Sequence, residues 1–319
     1  MKIEKLIDLN LTQISGQTSQ PPWFKTENNQ YWETININNT PILIKLSQKN
    51  INSLKIEYET LNNTKIQEKQ IQQEIEKIFD LNFNLDKFYN TLTEEFQLND
   101  AIKFCQGLRL FLAKDPYECI ISSICSANNS IKRWTNSINT IKHKWGEKHT
   151  FQSGNFYSFP TPEKLSKVHQ NETTEHEKTQ KNIKNCTNNL KACGVGYRDK
   201  YMIETSNIFT KELNYNEIFK MSYEEAFETI IKLPGVGPKV ADCILLYGFG
   251  FKEAFPSDVW IKRIISYLYF NQKEISAKKA RDFGINKFGE YAGYTQLYLF
   301  HYARKSGLMD KIKEKNKKS

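Results

Sequence analysis

The stretch Leu233-Pro-Gly-Val-Gly-Pro-Lys-Val-Ala-Asp-Cys243 constrains what this chain can fold into more than any other. Two glycines and two prolines stand immediately before an apolar helical pattern (Val240, Ile244, Leu245), so residues 234–237 read as a tight turn between two helices, a helix-hairpin-helix. Glycine lets backbone approach a ligand with no Cβ in the way. The N–H groups that open the second helix are unpaired donors at its positive end, so the turn is suited to phosphate. Lys239 falls in the first turn of that helix, and Cys243, four residues on, shares its face.

A lysine at a helix start opposes the dipole, and that placement together with partial burial favours the neutral amine, the form that attacks carbon and makes a Schiff base. Position alone favours a blander role, a solvated lysine touching phosphate. Asp258 follows Pro256-Ser257 and precedes Val259-Trp-Ile-Lys-Arg-Ile264, which makes it the N-cap of a helix. A carboxylate fixed there can also stabilise a developing cation or take part in proton transfer beside an amine. Lys239 and Asp258 are far enough apart for a helix out and a loop back. In a helix expected over 291–304, Gln296 offers a donor and an acceptor, and Phe300, one turn on, offers a stacking face. Taken singly these are a surface amide and a core aromatic, and Cys243 is a small buried hydrophobe. Asn128, Arg133, Tyr197 and Arg198 lie at helix ends or glycine turns, and only their co-occurrence singles them out.

Composition bounds the rest. A chain of 319 residues has room for two or three lobes. Lys and Arg number 45 against 36 Asp and Glu, a net +9 that suits a polyanion and is also common among soluble proteins. The six cysteines show no CxxC pairing and no histidine cluster, so neither zinc nor an iron–sulfur cluster is expected, and reduced thiols fit an intracellular protein. No stretch approaches the roughly 20 apolar residues of a membrane span, and the protein is expected to be soluble.

Along the chain, residues 41–46 and 54–58 alternate as strands broken by Asn-Asn and Pro-Pro turns, which points to an antiparallel sheet with one buried face. Residues 62–76 are polar and read as a solvated loop or an exposed helix. From about Asn99 the period is helical: a buried helix over 117–125, then a polar run at 126–130, and helices spanning roughly 161–219 with a glycine turn at Cys193-Gly-Val-Gly-Tyr-Arg198. A short helix is expected over 276–283. The expected division is a sheet domain over 1–98, a two-lobed helical domain over 99–310 and a lysine-rich tail over 311–319.

With these residues in place, the chain resembles the 8-oxoguanine DNA glycosylases of the helix-hairpin-helix superfamily. The resemblance runs from Ser15-Gly-Gln17 to about Arg304 and is densest over 233–259; it includes Asp115-Pro116, Ile124 to Asn129 with Arg133, Gly194 to Arg198, and Tyr291 to Gln296 with Leu299-Phe300. It implies an α+β fold, a TBP-like antiparallel sheet followed by two helical lobes, and a monomer acting on double-stranded DNA that contains 8-oxoguanine. Lys239 would attack the sugar C1′ of a flipped nucleotide and cut the strand by β-elimination, with Asp258 stabilising the cationic sugar. Cys243 and Phe300 would flank the base, Gln296 would meet its pairing edge, and the Gly16 carbonyl would accept the N7–H that guanine lacks. Asn128, Arg133 and Arg198 would engage the estranged cytosine while Tyr197 wedges into the gap. Backbone at Gly235, Gly237 and Val240 would hold DNA phosphate. No cofactor is implied beyond a monovalent cation at the hairpin carbonyls. Trp260 stands where the family often has a phosphate-contacting histidine. The competing readings are a related glycosylase for alkylated bases or oxidised pyrimidines, and a non-catalytic DNA-binding module that uses the hairpin for phosphate alone.

Overall fold

Strands β1 (Lys2–Ile3), β2 (Phe24–Lys25), β3 (Tyr31–Ile37), β4 (Thr40–Asn50) and β5 (Ser53–Thr60) form one antiparallel sheet in the order β1-β5-β4-β3-β2, with α1 (Leu9–Ile14) between the first two strands. The structure, a computed structural model, describes residues 1–92, 94–168, 189–310 and 312. Asn38 and Asn39 close the β3–β4 hairpin at φ 50° and 61°, the left-handed pair that matches the strands' twist. Ile42, Ile44 and Leu46 alternate along β4 onto a fully buried face.

That face is covered by α2 (Glu68–Ile78). Residues 64–67 are an open stretch as expected, but from Glu68 the chain is a helix that is not merely exposed: Ile71 and Ile75, with Ile78 beyond, recur at helical spacing among Gln, Glu and Lys and are completely buried. Helical structure thus begins well before Asn99. It continues through α3 (Leu85–Leu92), α4 (Asn99–Phe104), α5 (Pro116–Ser126) and α6 (Ile131–Trp145), and is then interrupted by an unexpected hairpin of β6 (Lys148–Phe151) and β7 (Gly154–Tyr157). The chain goes on through α7 (Pro162–Leu165), α8 (Asp199–Lys211), α9 (Tyr215–Ile218), α10 (Tyr223–Ile230), α11 (Pro238–Ile244), α12 (Val259–Tyr269), α13 (Ala277–Phe288) and α14 (Ala292–Lys305). The lysine-rich tail, apart from Ile312, and residues 169–188 with Cys186 lie outside the described residues.

Buried apolar side chains form two groups, one from Ile3 to Leu81 that also takes in Phe111, the other from Leu85 to Ile312. In the larger group α5 is buried from Tyr117 to Ser126, and Asp115 caps it with a 2.9 Å bond from Tyr117 N. On α14, Tyr294 stacks on Phe83 at 3.9 Å and donates to Asp80 at 2.9 Å, which fixes the helix against the chain's first half. No described helix is long and apolar enough to cross a membrane.

Candidate active site

The hairpin is built from both ends. Ser222 and Glu225 form a reciprocal capping box that opens α10, and Val236 N closes the turn on Leu233 O at 3.1 Å. Gly235 adopts φ +75°, and a Cβ there would collide with the Tyr201 ring on α8. Gly237 caps α11, Pro238 takes the first helical position, where no N–H is needed, and Lys239 follows. A buried cluster fixes α11 from beneath: Asp242 accepts from Tyr223 at 2.6 Å and from Arg281 at 2.6 and 3.1 Å, joining α10, α11 and α13. After α11 the chain widens into a π turn over Leu245–Phe249 that ends at Gly250 with φ 78°. The return loop is held where Gly293 N donates to Lys252 O at 2.7 Å, and it delivers Asp258 to the start of α12. There Asp258 Oδ1 accepts from Trp260 N and Ile261 N, each at 2.9 Å, so it is the cap its sequence position required.

One cleft collects most of the expected residues. Lys239, Val240, Gly235 and Gly237 line one side, Ser257 and Asp258 another, and Asn128, Tyr197 and Arg198 the rim. Tyr201 and Lys262 line it as well. Neither was reached from the sequence. Lys262 gave no signal beyond its place one turn after Asp258, and Tyr201 none beyond following the glycine turn. Trp260, 37% exposed, begins the same helix.

Lys239 is half-buried, and Cys243 beneath it is only 4% exposed. Burial presses the lysine pKa down, but the Cys243 side chain, to which it hydrogen-bonds, and the Asp258 carboxylate outweigh that, and the net direction is up. The expectation of a neutral amine is corrected: in the unbound molecule the hydrogen bond to Cys243 and the Asp258 charge outweigh burial, and Lys239 rests as the ammonium. Burial in turn pushes the Cys243 thiol up, so it sits there as a thiol. Thr18 reaches Cys243 from the far side and lies 3.0 Å from Ser123 Oγ.

The arginines at the rim are partly committed. Arg198 is buried, and its guanidinium donates to Ala127 O (2.7 Å from Nε), Val195 O (3.1 Å) and Asn128 O (3.0 Å). It therefore shapes the turn in which Asn128 sits at φ 49°, an exposed residue in the left-handed region. Arg133 Nε donates to Gly194 O at 3.2 Å, tying α6 to the glycine turn. Tyr197 is 57% exposed, with the Arg198 guanidinium 4.4 Å above its ring, and is free to project.

Gly16, Gln296 and Phe300 do not line that cleft. Gln296 and Phe300 are on α14, which meets the loop after α1 where Arg304 packs on Gly16. Gly16 adopts φ +87° and faces Arg304 and Ile131. Gln296 is 5% exposed, with Oε1 buried and unpartnered. Arg304 Nη2 donates to Ile14 O at 2.9 Å, and the guanidinium stands 5.7 Å from the Phe300 ring centre. His301 bonds the Ser15 backbone, and its pKa is pulled down to about 4, first by burial and then by Arg304. His301 and Arg304 were missed because one looks like a core histidine and the other like a C-terminal helix charge.

Among the described residues no cluster of three or more His, Cys, Asp or Glu could hold a metal ion. The arrangement is thus an amine and a carboxylate lining an open cleft, beside a backbone suited to phosphate.

Residues 1–120 match the family model of the 8-oxoguanine DNA glycosylase N-terminal domain, and residues 121–285 match that of the HhH-GPD superfamily base excision DNA repair protein. A probable N-glycosylase/DNA lyase of Methanothermobacter thermautotrophicus is 42% identical over 309 residues, covering 96% of each chain. The N-glycosylase/DNA lyase of Saccharomyces cerevisiae is 34% identical over 61% of this chain and 56% of its own. Among solved structures, the Clostridium acetobutylicum 8-oxoguanine glycosylase/lyase, in complex with double-stranded DNA containing cytosine opposite 8-oxoguanine, superposes with a TM-score of 0.77 at 30% identity, covering 96% of this chain and 98% of that one.

Proposed function

Because the chain belongs to the HhH-GPD superfamily of base excision DNA repair proteins, within it to the 8-oxoguanine DNA glycosylases, and is a DNA glycosylase with lyase activity, we propose that it excises 8-oxoguanine through a Schiff base on Lys239 and cuts the strand by β-elimination. The observation that carries this is that Lys239 and Asp258 line one cleft, each fixed at the start of its own helix.

The steps follow from what these groups can do. Lys239 gives up a proton, and Nζ attacks C1′ of the flipped nucleotide; the C1′–N9 bond breaks and the base leaves with the electron pair, taking a proton. Asp258, aimed by its two backbone bonds, stabilises positive charge at the sugar. Opening of the C1′–O4′ bond gives the Schiff base. Loss of a C2′ proton then breaks the C3′–O3′ bond, the downstream strand leaves with a 5′-phosphate, and water hydrolyses the unsaturated Schiff base to free Lys239. The substrate is duplex DNA with 8-oxoguanine. Tyr197, exposed at the rim, fills the gap, Asn128 and Arg133 meet the opposite base from the turn that Arg198 holds by its backbone bonds, and Gly235, Gly237 and Val240 hold phosphate. The hairpin also suits a monovalent cation: Leu233 O accepts a single 3.1 Å bond and keeps a lone pair free, and a bound cation would add positive charge beside the DNA backbone.

Borohydride reduction in the presence of a duplex carrying 8-oxoguanine opposite cytosine tests this. The parent is expected to form a covalent adduct and Lys239→Gln none; an adduct of equal yield from Lys239→Gln would sink the assignment. Asp258→Asn preserves a capping side chain, so its melting point should hold while its excision rate falls about 100-fold.

A further inference from the structure

We infer that Arg304 is a specificity residue of the base recess and that its Nη1 donates to the C8 carbonyl oxygen of the flipped 8-oxopurine. The inference rests on the glycosylase reading above and extends it to a residue outside the hairpin and its partners.

Three observations point there. First, Arg304 Nη1 is buried and has no hydrogen-bond partner among the described residues. A guanidinium donor left dry and unpaired is costly, and such groups persist where something else completes them. Burial accordingly pulls the Arg304 pKa down. Second, Arg304 is aimed: Nη2 is anchored on Ile14 O at 2.9 Å, and Nη1 packs on Gly16, close enough that any Cβ there would strike it. The donor therefore stands beside the Gly16 backbone, whose carbonyl the resemblance sets against N7–H. Third, Gln296, Phe300 and Arg304 are spaced four and four along α14, so they form one line on one face, about 12 Å from first to last. With Gln296 at the pairing edge and Phe300 under the ring, the far end of that line falls at the five-membered ring. There 8-oxoguanine carries O8 next to N7–H.

Guanine has C8–H in that place, and binding it would leave the guanidinium unpaired as well as setting N7 against a carbonyl. A site built to hydrogen-bond a substrate group rejects the analogue that lacks it far better than a shape-fitting pocket does. His301 assists by bonding the adjacent Ser15 backbone, so two side chains of α14 hold the loop that bears Gly16.

The test compares two rates under single-turnover conditions: excision of 8-oxoguanine opposite cytosine, and cleavage at a preformed abasic site, which uses Lys239 but presents no base. Arg304→Met should lower the ratio of the first rate to the second by roughly 10- to 100-fold, the worth of one charged hydrogen bond. Arg304→Lys, which keeps a cationic donor, should recover part of that ratio. A ratio within twofold of the parent overturns the inference. So does a parallel fall of both rates with a lowered melting point, which would mark Arg304 as a fold residue. If the parent itself neither excises 8-oxoguanine nor forms an adduct, it is the glycosylase reading that fails.

Discussion

At Lys239 burial, a thiol and a carboxylate act on one amine. Burial favours losing the proton, while Cys243 and Asp258 favour keeping it, and they prevail in the unbound molecule. The nucleophile must be the free amine, so its supply grows as pH approaches the lysine pKa from below. Excision under single-turnover conditions is therefore expected to rise with pH between 6 and 9, by up to about tenfold per unit. Asp258→Asn removes the carboxylate charge that raises the lysine pKa, so the same rise, at lower rates throughout, should appear at lower pH. A profile flat from 6 to 9 in the parent would show that Lys239 enters the reaction already deprotonated. A flipped nucleotide that excludes water would change the balance by strengthening burial, which couples binding to activation of the amine.

The hairpin glycines divide their work at the scale of the element. Gly235 is required by the protein itself, through φ +75° and the Tyr201 ring against it. Gly237 has an ordinary φ of −96°, and nothing lies within 4 Å of where its Cβ would be. Only a ligand needs that space. Gly235→Ala should cost about 1–3 kcal/mol of stability as well as DNA affinity, by left-handed strain and collision. Gly237→Ala should melt like the parent and lose affinity for undamaged duplex alone. Thermal melting and duplex titration side by side check both; a destabilised Gly237→Ala would contradict the assignment of that face to phosphate. The hairpin was plain in the sequence because turn chemistry is local. The β6–β7 hairpin and α2 were not: four-residue strands and three isoleucines in a polar run give weak periodic signals that only packing confirms.

For the molecule as a whole, sheet and helices are joined by a buried charge cluster. Glu33 on β3 meets Lys142 of α6 at 2.9 Å and Lys114 at 3.5 Å, and Lys114 reaches Glu118 of α5 at 3.3 Å. Burial alone would raise the Glu33 pKa, but the two lysines outweigh it and hold the carboxyl below its ordinary value. Its contribution is therefore present above the ordinary carboxylate pKa and is lost as pH falls through the depressed one. Glu33→Ala leaves two lysines with less compensation and should cost on the order of 3–5 kcal/mol by denaturant titration at pH 7. A loss under 1 kcal/mol would mean that the joint rests on apolar packing instead. Because α5 and α6 flank the turn that bears Asn128, this joint also sets where the rim of the cleft stands.

The chemistry was legible from sequence wherever it depends on neighbours along the chain. The glycine turn, Lys239 and Cys243 on one helical face and Asp258 as a cap follow from spacing and local hydrogen bonding, and the resemblance named the partners farther off. Tertiary structure decided what depends on groups distant in sequence. It brought Asp258 back to Lys239 by pinning the return loop on α14, and it turned the lysine toward its protonated form. It spent Arg198 on backbone carbonyls and set Arg304 against Gly16, 288 residues away in the chain. Burial and charge at a point in space are sums over everything packed there, and no stretch of sequence carries that sum.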